Sequence, residues 1–306
     1  DADDIEAMKE WDQMFGNVDL DPEMVEGRDF VLKSGIPHFY RSWNAANEYV
    51  KDFSFSQQHN MSFSGTAGKT NYYMGLSYMG QGGVVKVNPD SYNRFSVNYS
   101  TDTEIKPWLK VRSKALYTRT NLETPFNFGT SSYDALYYLY RWPSIMPYGT
   151  YEGQPFRNSV TETAAASMDT DVKDYMRFSV GATFVLGIPD LTLDIDYTYN
   201  LDNQHITQRG GTVGGWDFWS GGGMALVDNW ADKKRNKVDK YQYNRNYHAG
   251  NAVLRYKHTW NDAHNFSVFA GMNIEYKEVD YVNAEIRDLL DQNKPEISLS
   301  IGDKFI

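Results

Sequence analysis

The sequence contains no cysteine among its 306 residues, which excludes disulfide bonds and thiolate chemistry. It has no run of 18 or more apolar residues, so a membrane-spanning helix is excluded. The GxSxG, P-loop, HExxH and Rossmann motifs are missing, and the six histidines lack the spacing of metal ligands. These absences predict a protein that is not an enzyme and that holds neither a metal nor a cofactor.

The composition is compatible with a membrane protein built of β-strands. The formal net charge of −10 argues against nucleic acid as a partner. Aromatic residues make up 15% of the chain, with 23 tyrosines, whereas all hydrophobic residues together reach 41%. Aromatic rings with a polar edge are favoured at membrane–water interfaces. The mean hydropathy of −0.61 is compatible with a β-barrel, whose strands alternate lipid-facing and lumen-facing residues.

Alternation with period two predicts long β-strands. In 191–202 the apolar side chains from Leu191 to Leu201 share one face, and the polar ones, including Asp194 and Asp196, share the other. Each predicted strand has about 9–13 residues, which is the length that a tilted strand needs to cross a bilayer. The predicted strands are 53–64, 71–79, 93–101, 108–119, 175–186, 191–202, 248–258 and 265–276, with a shorter ninth at 297–301.

The connections alternate strictly between short and long. The short ones are 65–70, 102–107, 187–190 and 259–264, and the long ones are 80–92, 120–174, 203–247 and 277–296. In a meander every second connection emerges at the same end, so the short turns lie on one side and the long loops on the other. This asymmetry is typical of outer-membrane barrels, which have short periplasmic turns and longer extracellular loops.

The domain organisation follows from this pattern. Residues 1–52 are predicted to lead into the barrel, partly as loop, and residues 53–306 to form its strands and loops. Eight or nine strands with such long loops and polar faces do not suit a small closed barrel. We therefore expect an all-β fold, an arc of about eight or nine strands of a larger antiparallel transmembrane β-barrel, whose other strands are not in this sequence.

Several motifs resemble one transporter family. Residues 59–65 read HNMSFSG, 69–73 read KTNYY, 78–82 read YMGQG and 93–98 read NRFSVN, and Trp108 is followed by Leu-Lys. This run, over roughly residues 43–120, resembles the early barrel strands of the SusC-like (SusC/RagA) TonB-dependent transporters of Bacteroidota outer membranes. Beyond residue 120 the agreement is one of strand and loop rhythm.

The family resemblance implies a fold, a cargo and partners that the residues alone do not indicate. Members of that family form 22-stranded barrels with an N-terminal plug, take up oligosaccharides or peptides with energy from TonB, and work with a SusD-like lipoprotein. It therefore implies an outer-membrane location, a SusD-like partner, and contact with TonB through a segment not in this sequence. Stacking aromatics favour oligosaccharides as cargo, and oligopeptides are the alternative.

The candidate ligand-binding residues are aromatic residues of the two longest loops. Trp216, Trp219 and Trp230 stand in a glycine-rich stretch of loop 203–247, and Tyr133 and Trp142 stand in loop 120–174. Aromatic faces stack on sugar rings, and glycine lets the backbone approach a ligand. The alternative is that these side chains pack the loops or rest against a partner.

Two other classes of function stay open. The chain is a passive porin or adhesin barrel if the upstream sequence encodes neither a plug nor a TonB-binding segment. A β-rich glycan hydrolase has only the abundance of aromatic and acidic residues in its favour. The pair Asp194 and Asp196 lies at i and i+2 on a lumen face, which is the ordinary barrel pattern, without a second carboxylate opposite.

Overall fold

The computed structural model describes residues 2–126, 141–219, 221–231, 235–261, 263–291, 294, 296–299, 301, 302, 304 and 305. Eight long strands dominate this part of the chain, and they alternate hydrophobic and polar residues as the sequence predicts. These strands are β3 (Ser56–Ala67), β4 (Thr70–Gly82), β5 (Ser91–Lys106), β6 (Leu109–Pro125), β9 (Met168–Val185), β10 (Leu191–Arg209), β13 (Lys237–Trp260) and β14 (His264–Arg287).

The shorter elements lie in the N-terminal segment, in the loops and at the C-terminal end. They are α1 (Ala2–Phe15), β1 (Phe30–Lys33), β2 (Ile36–Phe39), α2 (Ala45–Tyr49), β7 (Thr150–Tyr151), β8 (Gln154–Pro155), α3 (Ser159–Ala165), β11 (Gly215–Asp217), β12 (Ala225–Val227), a 3₁₀ helix η1 (Ile297–Leu299) and β15 (Lys304–Phe305).

The long strands form one antiparallel meander. Its strand order is β15-β14-β13-β10-β9-β6-β5-β4-β3, which is the chain order once the small hairpins are left out. The all-β antiparallel prediction is confirmed. Short connections at 68–69, 107–108, 186–190 and 261–263 alternate with the long ones, as predicted. Within the described residues β3 and the short β15 are the two edges of an open sheet.

Several strand bounds differ from the prediction. The strand predicted at 53–64 lies at Ser56–Ala67, so Phe53 and Phe55 precede it. The strand predicted to begin at Ile297 is wrong: residues 297–299 form η1, and the ninth strand is Lys304–Phe305. The strands beside the long loops also run further, which shortens loop 120–174 to 126–167 and loop 203–247 to 210–236, and extends β14 to Arg287 within 277–296. Backbone pairing continues there although polar and charged residues now stand on both faces, so alternation no longer marks the strand.

The register of the sheet is staggered. The row of paired residues that begins at Ala67, the end of β3, reaches Met272 on β14, eight residues beyond the start of that strand at His264. The row crosses seven strand-to-strand steps. With the short turns at one level, this stagger corresponds to strands tilted by about 40°, given about 3.4 Å per residue and 4.8 Å between strands. Such a tilt lies within the range of about 35–45° that transmembrane barrels adopt.

The N-terminal segment folds into small elements of its own. Strands β1 and β2 form a hairpin through Ser34 and Gly35, whose φ angles of 55° and 81° suit a type I′ turn. Helix α2 begins after Asn44, whose Oδ1 accepts the backbone N–H of Ala46 at 3.1 Å, as an N-cap does. Helix α1 is joined to the hairpin by Asp4, which accepts from Lys33 at 2.6 Å. None of the helices described is long and apolar enough to cross a membrane.

The main hydrophobic core lies outside the large sheet. It joins Met24, Phe30 and Phe39 of the N-terminal segment to Tyr148 and Phe156 of loop 126–167, with Phe218 of loop 210–236 packed against it. The rings of Phe39, Phe156 and Phe218 lie with centroids 5.2–6.1 Å apart, close to perpendicular to one another. Three segments that are distant in sequence therefore form one loop cluster, which we define as residues 2–50 with the described residues of loops 126–167 and 210–236.

Candidate functional site

One face of the sheet carries an uncharged band, and we call it the apolar face. Three of its rows run from Ala67 to Met272, from Gly65 to Ile274 and from Phe63 to Tyr276, and none includes Lys, Arg, Asp or Glu on the eight long strands. The side chains of this band are open to the surroundings even in the middle of the sheet, where Phe178 is 44% and Ile195 is 43% exposed. A surface this broad and this apolar is typical of contact with lipid or another apolar partner.

Aromatic residues lie at two levels of the apolar face, at and beside the ends of the uncharged band. Near the short turns, Trp108 stacks on Phe184 with centroids 6.4 Å apart, and Trp260 lies 5.8 Å from Phe266. The opposite level contains Tyr78, Phe95, Tyr117, Tyr199 and Tyr276.

The distance between the two levels matches a bilayer. Phe266 and Tyr276 are ten residues apart on β14, which is about 34 Å along the strand and, at a tilt of about 40°, about 26 Å along the barrel axis. The apolar band of outer-membrane barrels is about 25 Å tall and lies between two aromatic girdles.

The other face, which we call the polar face, carries the charges. The two rows between the uncharged ones include Asp102, Arg112, Asp196, Lys114 and Glu275. Arg112 donates to Asp196 Oδ1 at 3.1 Å. Asp194, one row nearer the short turns, lies 3.9 Å from Arg112 and 3.7 Å from Arg255. Since Arg112, Asp196 and Arg255 are well exposed, each pair contributes only about 0–1 kcal/mol to stability, and the arrangement is that of a hydrated surface.

Two of the predicted ligand-binding residues meet in the loop cluster. The rings of Trp142 and Trp219 lie 5.5 Å apart at 59°. Trp219 also stacks on Phe218, with centroids 5.2 Å apart at 29°, and it is 48% exposed. Trp142 is half-buried, and its Nε1 donates to the carbonyl of Met146 at 3.1 Å. Trp219 therefore presents an aromatic face to the surroundings on a firmly packed base.

The other predicted residues are placed differently. Trp216 packs against the main core, and its Nε1 donates to the carbonyl of Tyr151 at 2.7 Å. Trp230 is 9% exposed and lies in a second cluster with Phe126, Ala166 and Val213. Both indoles are committed to packing contacts between the loops. Tyr133 lies outside the described residues.

Asp169 joins the bases of the two long loops. Its carboxylate accepts the backbone N–H of Arg209 at 2.9 Å, and the amide of Gln208 lies 3.4 Å from its other oxygen. The residue lies nine positions along β9 from Phe178, well outside the uncharged rows. Burial raises the pKa of Asp169 to about 6, although these hydrogen bonds oppose the shift. The bases of both loops are thus linked by a group that titrates in a mildly acidic range.

Sequence reasoning missed the contribution of the N-terminal segment. Phe30 and Phe39 complete the core under Trp216 and Phe218. A local signal was present, because Ser34-Gly35 between the short runs Val31-Leu32-Lys33 and Ile36-Pro37 is typical of a two-residue hairpin turn. Nothing local indicates that this hairpin meets loops more than 100 residues further along the chain.

In described residues no group of three or more His, Cys, Asp or Glu side chains is arranged to hold a metal ion. No protein-family model matches the sequence, and no curated protein matches it either.

Solved structures do match this fold. A chain in the structure of the RagAB peptide transporter is similar with a TM-score of 0.58 and 17% identity. Chains in the closed-closed and open-open states of the RagAB peptide importer are similar with TM-scores of 0.59 and identities of 17% and 16%. Each match covers 87% of this chain and 30% of the other. The chain thus spans under a third of the length of the chains that it matches, and over that part it shares their fold.

Proposed function

We propose that this chain is an arc of an outer-membrane β-barrel that belongs to a nutrient importer. The uncharged rows between two aromatic levels carry the proposal. A lysine or arginine at the middle of a bilayer costs about 2–4 kcal/mol on a barrel strand. The three uncharged rows have 24 positions on eight strands without a charged residue, whereas the two polar-face rows between them hold five charged residues. Burial in lipid accounts for this separation, because an exposed face in water has no reason to exclude charge.

The orientation follows from the loops. The short turns lie at the periplasmic end, and the loop cluster lies at the extracellular end, as in outer-membrane barrels generally. The polar face lines the lumen, where Arg112 and Asp196 stay hydrated. The two edges of the sheet pair with strands outside this sequence, because an open edge in lipid leaves backbone groups without partners.

We propose uptake of oligosaccharides as the activity. The motifs of residues 59–98 resemble SusC-like transporters, and the matching solved structures are of a transporter. By that resemblance, energy comes from TonB through a segment outside this sequence, and a SusD-like lipoprotein covers the loops. The proposed cargo contact is the exposed face of Trp219, supported by Trp142 and Phe218, because indole rings stack well on sugar rings. No catalytic step is part of this proposal.

A second candidate is the uptake of oligopeptides by the same architecture. It is favoured by the matching structures, which are of a peptide transporter and importer. An aromatic platform such as Trp219 and Phe218 also accommodates apolar peptide side chains. A passive porin or adhesin barrel is the remaining alternative, and it lacks both the plug and the lipoprotein.

The decisive experiment is a pull-down of the full-length native protein from detergent-solubilised outer membranes, with mass spectrometry of everything retained. A SusD-like lipoprotein, together with plug peptides from the same polypeptide, is the expected result. A lone barrel with neither component overturns the importer proposal in favour of the passive barrel. Uptake of labelled oligosaccharides and labelled peptides by cells with and without the gene then decides the cargo.

A further inference from the structure

A pocket of about 630 Å³ opens in the loop cluster between helices α1 and α2. Residues 15–20, at and after the end of α1, form one wall, and residues 41–48, which lead into α2 and include most of it, form the other. We call it the α1–α2 pocket. Its volume lies within the range of about 300–1,000 Å³ that is typical of small-molecule sites.

Three buried side chains form the floor of the α1–α2 pocket. Trp11, Arg41 and Trp43 are 4%, 5% and 8% exposed. The guanidinium Cζ of Arg41 lies 3.8 Å from the centroid of the Trp43 ring. Arg41 also donates to the carbonyls of Asp21 at 2.8 Å and Leu20 at 3.3 Å. A guanidinium carries five N–H groups, so these bonds hold it in place and leave donors for a ligand.

The indoles of the floor add two further donors. Among the described residues neither Nε1 of Trp11 nor Nε1 of Trp43 has an acceptor, whereas buried donors in folded proteins normally have one. The floor therefore combines aromatic carbon with more hydrogen-bond donors than the protein itself uses.

Polar side chains form the rim of the pocket. Asp19, Ser42 and Asn47 are exposed, and Glu48 is half-buried. Asn44 uses its Oδ1 to cap α2 by accepting backbone N–H groups, so its Nδ2 is not part of the cap. Donors and acceptors thus lie side by side around the floor. Hydroxyl groups fit such a mixture, because each donates one hydrogen bond and accepts two.

The charges in and around the pocket favour a neutral ligand. They include three cations and five carboxylates, namely Arg28, Arg41 and Lys86 with Asp12, Asp19, Asp21, Asp29 and Glu48. The carboxylates disfavour a phosphate or another anion, and the guanidinium in the floor disfavours a cation. A neutral molecule with several hydroxyl groups avoids both penalties.

A series of ring contacts links the pocket to the proposed cargo contact. Trp219 lies 5.5 Å from Trp142, and Trp142 lies 5.9 Å from Tyr148. Tyr148 in turn lies 6.2 Å from Trp43 in the floor of the pocket. Only two rings therefore separate Trp43 from Trp219, which places both indoles within reach of one extended oligosaccharide.

We infer that the α1–α2 pocket binds one neutral sugar residue of the oligosaccharide whose other part stacks on Trp219. Arg41 and Asn47 donate to its hydroxyl oxygens, and Asp19 and Glu48 accept from its hydroxyl groups. Two contacts on one molecule reinforce each other, so the pocket raises the affinity and selects against anionic glycans. This inference rests on the proposed uptake of oligosaccharides.

The test uses the full-length protein, purified from outer membranes in detergent. An array of neutral, uronic-acid-containing and sulfated oligosaccharides, with peptides of similar length beside them, identifies what it binds. Isothermal titration calorimetry then measures the affinity for the neutral oligosaccharide that binds most tightly. Asp19→Ala/Asn47→Ala removes two exposed polar groups of the rim. Glu6→Ala/Gln13→Ala is the matched control, since both residues are exposed on α1 and lie outside the pocket.

We expect neutral oligosaccharides to bind more tightly than anionic ones. Asp19→Ala/Asn47→Ala is expected to weaken binding roughly 25-fold, because each lost hydrogen bond costs about a factor of five. The control is expected to bind like the unsubstituted protein. Hydrogen exchange of residues 41–48 is expected to slow when the oligosaccharide is added, and this slowing reports on the pocket independently of Trp219.

Ser42→Phe is a second variant, for the case in which the double substitution does not fold. Its ring fills the pocket without changing a charge, so the slowing of exchange at residues 41–48 is expected to disappear. An unchanged affinity in both variants, or tighter binding of anionic glycans, overturns the inference.

Failure of the pocket and failure of the proposed function give different results. A protein that binds and imports neutral oligosaccharides without any change in exchange at residues 41–48 contradicts the pocket alone. A protein that binds peptides and no oligosaccharide of the array contradicts the proposed oligosaccharide uptake, and the pocket with it.

Discussion

The indole Nε1 of Trp230 donates a hydrogen bond of 3.0 Å to Glu162 Oε1, and so ties loop 210–236 to helix α3 of loop 126–167. Trp230 is 9% and Glu162 is 7% exposed. A buried carboxylate that loses a donor cannot replace it with bulk water. The pair therefore stabilises the contact between the two loops rather than offering a surface for cargo.

Replacing Trp230 with Phe keeps an aromatic ring and removes the donor to Glu162. We expect the free energy of local unfolding of loop 210–236 to fall by about 1–3 kcal/mol, measured by amide hydrogen exchange. Trp219→Phe is the matched control, since that indole is half exposed, and a change below about 0.5 kcal/mol is expected there. Equal effects of the two substitutions contradict a structural role for the hydrogen bond.

A charge on the apolar face tests the membrane proposal. Ile195→Lys is expected to lower the stability of the full-length protein in lipid vesicles by about 2–4 kcal/mol, measured by urea unfolding. Thr198→Lys introduces the same residue three positions away, on the polar face of the same strand. It is expected to change the stability little, and similar losses for both variants argue against burial of Ile195 in lipid.

The loop bases are expected to respond to pH through Asp169. Its pKa is raised to about 6, chiefly by burial, from an ordinary value of 3.8. The folded form holds the proton of Asp169 more tightly than the unfolded form does. The stabilising contribution of Asp169 is therefore present below about pH 4 and is lost as the pH rises through about 6.

Hydrogen exchange at the Arg209 amide, measured between pH 4.5 and 7.5 and corrected for the intrinsic exchange rate, is the readout. Protection is expected to be greater at the acidic end. Asp169→Asn removes the titrating group. In that variant, protection of the Arg209 amide is expected not to vary with pH through residue 169. An unchanged pH dependence in that variant assigns the effect to another group.

The cargo contact proposed for Trp219 has a matched control in Trp260. The two residues have nearly the same exposure, 48% and 47%, but Trp260 lies at the end of the sheet near the short turns. Trp219→Ala is expected to weaken binding of the proposed oligosaccharide cargo by about tenfold, the scale of one aromatic stacking contact. Trp260→Ala is expected to leave the affinity unchanged, as measured by isothermal titration calorimetry with the purified protein. An unchanged affinity in Trp219→Ala removes this residue from the candidate site.

The long strands could be predicted because their chemistry is local. Along β10 the residues from Leu191 to Leu201 alternate with Thr192, Asp194 and Asp196, and this pattern alone fixes both the strand and its two faces. From Asn203 to Arg209 every residue except Ile206 is polar, yet pairing continues with β9 as far as Thr207 and with β13 as far as Arg209. Alternation therefore ends where the apolar band ends, and the remaining length of the strand has no signature in hydropathy.

The loop cluster could not be predicted because its contacts are long-range. Phe39, Phe156 and Phe218 are separated by more than 60 residues at each step, and no periodicity joins them. The tryptophans looked alike in sequence, but Trp230 is buried beside Glu162 while Trp219 is half exposed. Which indole packs and which faces outward depends on partners that only the folded chain brings together.

The stagger of the sheet also affects how a solute meets the polar face. Because the strands are inclined by about 40°, each step to the next strand along a row changes the depth by about 3 Å. Asp102, Arg112 and Asp196 belong to one row, so they form a ramp that winds along the wall rather than a ring at one level. The guanidinium of Arg112 reaches Asp196 Oδ1 at 3.1 Å, so the ramp consists of this ion pair and, at another depth, the carboxylate of Asp102.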